Sequence, residues 1–220
     1  MAPKKVLLVE GKDDVHVVRH LCGNRNGPHI DVFRPHDSVE NLLDSFPISF
    51  KACEEGDIFG VIIDADLNLS WRWESVRNQL LKLEYENVPK TPAYDGTILD
   101  PPADKLLPRV GFWIMPDNRI NGILEDFLQF LVPVGSLLFE HVILSIEGIP
   151  ENEIKFTLVN KPKVIMHTWL AWQSDPGRPF GTAIKAKFLD PDVPQVGVLV
   201  DWLNRLFLDD PTFATNLHGN

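Results

Sequence analysis

Glu10 and Asp14 stand four residues apart behind a short apolar run, and Asp64 and Asp66 stand two apart behind another. Carboxylates are the side chains that bind hard divalent cations, and an oxygen-only ligand set favours Mg²⁺, Mn²⁺ or Ca²⁺ over zinc. Glu10 closes the first apolar run, and Asp14 falls in the first turn of the helix that follows, so both can face one crevice. Asp64 and Asp66, at the end of a strand, point to the same side with Cα atoms roughly 6–7 Å apart. If the two strands are neighbours, four carboxylates meet around one point. Such a cluster is strongly repulsive without counterions, and one or two bound cations are its natural resolution. Either pair alone also suits a loop start or a helix cap, and Asp13 reads as a capping or solvent-facing carboxylate. The joint pattern, Glu-Gly-x-x-Asp behind one strand and Asp-x-Asp behind another, is what points to chemistry.

The elements that must position these groups follow from hydrophobic patterning. Residues 5–9 form a continuous apolar run, the mark of a strand covered on both faces. A helical pattern follows from Asp13, with Val15, Val18 and Leu21 in phase and Gly23 as its stop. Further strands are predicted at 30–33 (ended by Pro35), 57–63 and 111–115, with a helix capped by Asp37 or Ser38 and another over 72–84. Strand and helix in alternation predict an open α/β sheet, mainly parallel and flanked by helices. Residues 89–108 hold the five prolines Pro89, Pro92, Pro101, Pro102 and Pro108, which predicts a surface loop or a small edge hairpin. Beyond residue 120 the pattern turns helical, at 123–131, 135–147, 161–172 and 196–207, and the tail after Asp209 is expected to fray. Trp169, Trp172, Trp202 and Phe207 fall on these helices as core anchors. The organisation expected is one domain over 1–220, an α/β core in 1–120 with a helical extension in 121–220 packed on it.

A chain of 220 residues can bury a core without disulfide or metal. Its 44% hydrophobic and 24% charged residues are globular in type. With 21 Lys+Arg against 31 Asp+Glu the net charge is −10, which excludes a passive nucleic-acid coat, since counterion release needs a basic surface. Divalent cations can still bridge an acidic protein to phosphates. Cys22 and Cys53 have neither metal-site spacing nor disulfide density, the N-terminal apolar run is too short for a signal peptide, and 123–139 is broken by charges and Pro133. A cytoplasmic protein with no membrane span is expected.

Val9-Glu10-Gly11-Lys12-Asp13-Asp14 with Ile62-Ile63-Asp64-Ala65-Asp66 resembles the TOPRIM domain. That domain is shared by topoisomerases, bacterial primases, ribosomal-RNA maturases and the OLD-family nucleases. The Glu-Gly-x-x-Asp form is similar to the OLD-like branch. The stretches 113–118, 122–126 and 167–172 resemble small, stand-alone TOPRIM-like proteins of uncharacterised function. The resemblance implies a Rossmann-like TOPRIM fold in which Asp64 and Asp66 bind one Mg²⁺ or Mn²⁺ and Glu10 with Asp14 binds a second, Glu10 acting alternatively as general acid or base. Two ions about 4 Å apart would activate a water and stabilise the leaving oxygen of a phosphodiester. It also implies an outer acidic contribution from Glu125 and Asp126, and a lysine near the scissile phosphate, best matched by Lys163 ahead of Lys161, Lys185 and Lys187. The chain departs from the nucleases in having no ATPase phosphate-binding loop. Only Tyr85 and Tyr94 are present, against a covalent tyrosine of topoisomerase type.

Other constellations carry less. His16 and His20 have zinc-compatible spacing but no third ligand. Arg178 lies in a glycine-flanked loop that suits a phosphate or merely a turn. The six tryptophans do not alternate with basic residues and are read as packing, not as a base-stacking platform. The leading expectation is therefore a Mg²⁺- or Mn²⁺-dependent phosphoryl-transfer protein, a nuclease on DNA or RNA, with a homo-oligomer as an open option. The alternatives are a metal- or nucleotide-binding effector module working with a separate partner such as an ATPase, and a structural partner with a vestigial crevice.

Overall fold

In β1 (Lys5–Val9), Val6 and Leu8 face one way and Leu7 and Val9 the other, and all four are buried. Burial on both faces requires helices on both sides of the sheet, and the computed structural model, which describes residues 3–208, has that layering. The chain continues through α1 (Lys12–Arg25), β2 (Val32–Pro35), α2 (Val39–Lys51), β3 (Ile58–Asp64), α3 (Leu69–Lys82), β4 (Thr97–Leu99) and β5 (Arg109–Met115). It ends in α4 (Leu124–Gln129), α5 (Leu137–Glu147), a single 3₁₀ turn, α6 (Lys161–Ala171), α7 (Phe180–Lys185) and α8 (Pro194–Phe207).

The five strands lie in the order β2-β1-β3-β5-β4, the first four parallel and β4 antiparallel on β5. This is the Rossmann-like α/β architecture expected. The chain leaves β1 toward β2 on one side and returns to β3 on the other. The strand order therefore reverses between β1 and β3, and the crevice outside their carboxyl ends is where open α/β sheets bind ligands.

One face of the sheet is covered by α2 and α3, whose Leu42, Phe46, Phe50, Trp73, Val76 and Leu80 pack on Leu8, Val61, Phe112 and Ile114. The other face packs α1 and all the helices after residue 120 against Leu7, Val9, Ile62, Trp113 and Met115. The C-terminal stretch is thus a full layer sharing the sheet's core. Its closest approach is α8: a β-carbon at Gly111 would lie 2.6 Å from Leu206 Cδ2, and one at Gly60 would lie 3.2 Å from the same atom. Two bare positions let the helix settle onto the strands.

Some boundaries differ from the sequence expectation. β2 runs two residues later and includes Pro35, which an edge strand tolerates because one side of its backbone needs no partner. α3 begins at Leu69, because the Asn68 side chain accepts a bond from the Trp71 N–H at 3.0 Å and caps it. Ser38, not Asp37, caps α2. The proline-rich segment contains the edge strand β4 as one side of a hairpin. α7 follows the Arg178 loop and begins at Phe180, two residues ahead of the helix start expected near Thr182. Trp172 is 44% exposed on the rim instead of in the core, tilted against His141. The tail after Asp209, expected to fray, lies outside the described residues. Among those residues no helix is long and apolar enough to cross a membrane.

Candidate metal-binding and phosphoryl-transfer site

β1 and β3 are direct neighbours, with Val9 opposite Ile62, so Glu10 and Asp64 emerge side by side. The backbone N–H of Asp64 donates to Glu10 Oε1 at 2.7 Å, which ties the two strand ends together. After Glu10 the chain turns at Gly11 into α1. There Asp14, the third helical residue, accepts a bond from the Gly11 N–H at 2.9 Å. A β-carbon at residue 11 would stand 3.3 Å from that same Asp14 oxygen, a tight contact which glycine avoids. The Glu-Gly-x-x-Asp motif thus has a local structural logic as well as a chemical one.

These carboxylates line an open cavity of about 380 Å³. Glu125, in the first turn of α4, also lines it and is only 4% exposed. Lys163, in the first turn of α6, lines it too, with Nζ 3.6 Å from Glu125 Oε1. Lys12 and Asp13 lie on the rim, as does Asp37 from the carboxyl end of β2.

Burial sets the electrostatics. The Glu10 carboxyl is pushed up to about 7, first by desolvation and then by the charges of Asp14 and Asp66; the bond from Asp64 N–H and the Arg72 charge oppose the rise. Asp14 also rises to about 7, by desolvation with added repulsion from Glu125 and Asp13, against the bonds from the Gly11 and Asp14 N–H groups. Asp64 is held well above the usual carboxylate range by desolvation and by the surrounding carboxylates Glu10, Asp14, Glu125 and Asp66. Its Oδ1 is buried and has no hydrogen-bond partner. Glu125 is raised by burial, while Lys163 pulls it back down.

Asp66 departs from the expectation of a shared ligand set. Its backbone has turned left-handed (φ 52°) and pairs in both directions with Gly122 at 2.9 Å. Its Oδ2 accepts from Arg72 at 2.5 Å, while Arg72 Nε donates to the Asp64 carbonyl at 2.7 Å. Asp66 therefore lines the adjoining hollow rather than the cavity, though its charge is still felt at Glu10 and Asp64. Asp126 is also turned elsewhere: it accepts from the Ile123 N–H at 2.9 Å, capping α4 as Asp14 caps α1. Of the proposed outer pair, only Glu125 reaches the cavity.

The remaining candidates lie apart from it. Lys161 pairs with Glu147 at 3.6 Å. Arg178 pairs with Asp175 and sits 5.7 Å from the Phe188 ring centroid. His16 and His20 flank Gly181 of α7 as packing. The Tyr85 hydroxyl donates to the Pro108 carbonyl at 2.6 Å, deep in the core. Asp37 lines the cavity although the sequence reading offered it, with Ser38, as a helix cap, and Asp13 lines it although it was read as capping or solvent-facing. The place of Asp37 behind a third parallel strand was the signal that marks it.

The residues fit a divalent cation in kind: hard oxygen donors, a buried carboxylate oxygen without a partner, and mutual repulsion that a cation would relieve. Among the described residues, no three His, Cys, Asp or Glu side chains stand ready-arranged to hold a metal ion. Glu10, Asp14 and Asp64, with Glu125 on the same cavity, are the groups that would hold one.

No curated protein and no solved structure matches this chain. A family model described as a protein of unknown function, DUF3226, matches residues 4–208, and the chain belongs to that family.

Proposed function

We propose that this protein carries out divalent-metal-dependent phosphoryl transfer of TOPRIM type, with nucleic-acid phosphodiester cleavage as its reaction. The observation that carries this reading is the convergence of Glu10, Asp14, Asp64 and Glu125 on one open cavity at the switch point of the sheet, where Lys163 joins them. Mg²⁺ or Mn²⁺ bound by these carboxylates would supply a polarised phosphoryl oxygen and an activated water. Glu10, where it is not itself a ligand of the ion, would exchange a proton with the attacking water or the leaving oxygen. Lys163 offsets charge that develops on the phosphoryl group, and its pairing with Glu125 fixes where its ammonium stands. The bond from Asp64 N–H holds Glu10 in register with Asp64.

A second reading, a metal- or nucleotide-binding module that acts with a separate partner, draws on the net charge of −10. Within the cavity wall the cationic groups are Lys12 and Lys163. Recruitment of a polyanion then falls to cations or to another protein.

The test is cleavage of supercoiled plasmid, linear DNA and single-stranded RNA with Mg²⁺ or Mn²⁺, comparing wild type with Asp64→Asn and Lys163→Ala prepared identically. Metal-dependent cleavage should fall by about 10²-fold or more in each variant, the usual size for loss of a group that stabilises transition-state charge. Cleavage equal in wild type and Asp64→Asn would be contamination and would remove the nuclease reading. Metal binding without cleavage by any of the proteins would favour the second.

A further inference from the structure

Beside the acidic cavity lies a hollow of about 290 Å³ whose walls include Asp66, Leu67, Trp71, Arg72 and Val159. The same two stretches of chain build both spaces. The turn from β3 into α3 gives Asp64 to the cavity and Asp66, Trp71 and Arg72 to the hollow, while the segment entering α6 gives Lys163 to one and Val159 to the other. Their walls are thus close in sequence, at residues 64 and 66 and at residues 159 and 163. Arg72 ties the first pair together, bonded both to the Asp64 carbonyl and to the Asp66 carboxylate.

Trp71 is the feature that packing does not explain. It is 73% exposed and Leu67 is 67% exposed. Trp73, Trp113, Trp169 and Trp202 are all buried, and Trp73 already fills the core-facing place on α3. A large indole left in water beside an acidic cavity marks a binding surface.

We propose that Trp71 is a stacking platform for an unpaired base of the nucleic acid whose phosphate is held at the acidic cavity, so that the ligand is single-stranded or locally unpaired. The inference rests on the nucleic-acid reading of that cavity and names its substrate class. A base offers a flat π-face that stacks on an aromatic whatever its sequence. In a duplex those faces are occupied by neighbouring bases, leaving none for Trp71. Asp64 on the cavity wall and Asp66 on the hollow wall are two residues apart, so one nucleic-acid strand can reach both.

The experiment is fluorescence anisotropy with labelled oligothymidylate, oligouridylate and a duplex of the same length. Ca²⁺ is used to bridge phosphates with cleavage suppressed, and the proteins are wild type, Trp71→Ala and Trp71→Phe. Because Trp71 is exposed, both variants should melt with wild type. Trp71→Ala should bind the single strands about ten-fold more weakly, as loss of one base–aromatic stack does. Trp71→Phe should restore most of the affinity, and duplex binding should not change. Equal single-strand affinity in wild type and Trp71→Ala would overturn the platform and leave the reading of the cavity standing. The same loss on duplex would overturn the single-strand assignment. A wild type that binds none of the probes would overturn the platform and the nucleic-acid reading together. A dimer that Trp71→Ala converts to monomer, with oligonucleotide affinity unchanged, would assign the indole to a protein contact and overturn the proposal.

Discussion

Glu10, Asp14 and Asp64 are carboxylates that the fold takes out of water and sets against one another, and burial is the main reason each is reluctant to ionise. The consequence for stability has a definite sign. Glu10 and Asp14 are raised to about 7 in the folded chain, so at pH between roughly 4 and 7 the folded state holds more protons than the unfolded one. Their contribution is complete below that window and is lost as pH rises through it, on the order of 3–4 kcal/mol for each group taken alone. The metal-free protein should therefore melt at lower temperature at pH 8 than at pH 5.5, and Glu10→Gln should flatten the profile. Mg²⁺ should raise the melting temperature more at pH 8, where the carboxylates are charged, than at pH 5.5. Melting curves at the two pH values, with and without the ion, check both statements. The residues of this cluster were legible because strand ends and helix first turns place side chains predictably. Asp66 was not: a spacing of two implies a shared side only while the chain stays extended, and here β3 ends at Asp64 before residue 66 adopts φ 52°. Glu125 became distinct from Asp126 only when Asp126 was seen bonded to the Ile123 N–H.

At the scale of elements, β1, β3, β5 and the helices between them could be read from apolar runs, because strands covered on both faces have no polar alternation to blur them. The ends were harder. β2 is an edge strand whose Val32 and Phe33 are only partly buried, so its pattern is weak and its boundary slips. β4 is three residues long and depends on pairing with β5 rather than on any pattern of its own. What no pattern discloses is how closely α8 lies on the sheet, since Gly60 and Gly111 look like ordinary strand glycines in sequence. Their role appears in the 2.6 Å that would separate a β-carbon at residue 111 from Leu206 Cδ2. Gly111→Val should force α8 outward and cost about 1–3 kcal/mol, the usual penalty for overpacking. Urea unfolding measures it. A midpoint unchanged from wild type would mean that α8 can shift without loss.

For the whole molecule, the C-terminal helices complete the site as well as the core. α4 brings Glu125, and α6 brings Lys163, to the cavity lined by the carboxylates of β1 and β3. The same layer packs Trp202, Leu206 and Phe207 into the cluster that holds Val9 and Ile62. Hydrophobic patterning separated an N-terminal sheet from C-terminal helices, and it was the resemblance, through Glu125 and Lys163, that pointed to a cavity built from both. Long-range placement of that kind follows from packing, which leaves no periodic trace. On the proposed reading this composite cavity holds a divalent cation on Glu10, Asp14 and Asp64, with Asp66 serving the neighbouring wall. The decisive measurement is titration calorimetry with Mn²⁺ at pH 8, comparing wild type, Asp64→Asn and Asp66→Asn. Wild type should bind, Asp64→Asn, which lacks a proposed ligand, should lose about 10²-fold, and Asp66→Asn should change less. No binding by wild type, or affinity in Asp64→Asn equal to that of wild type, would contradict that reading.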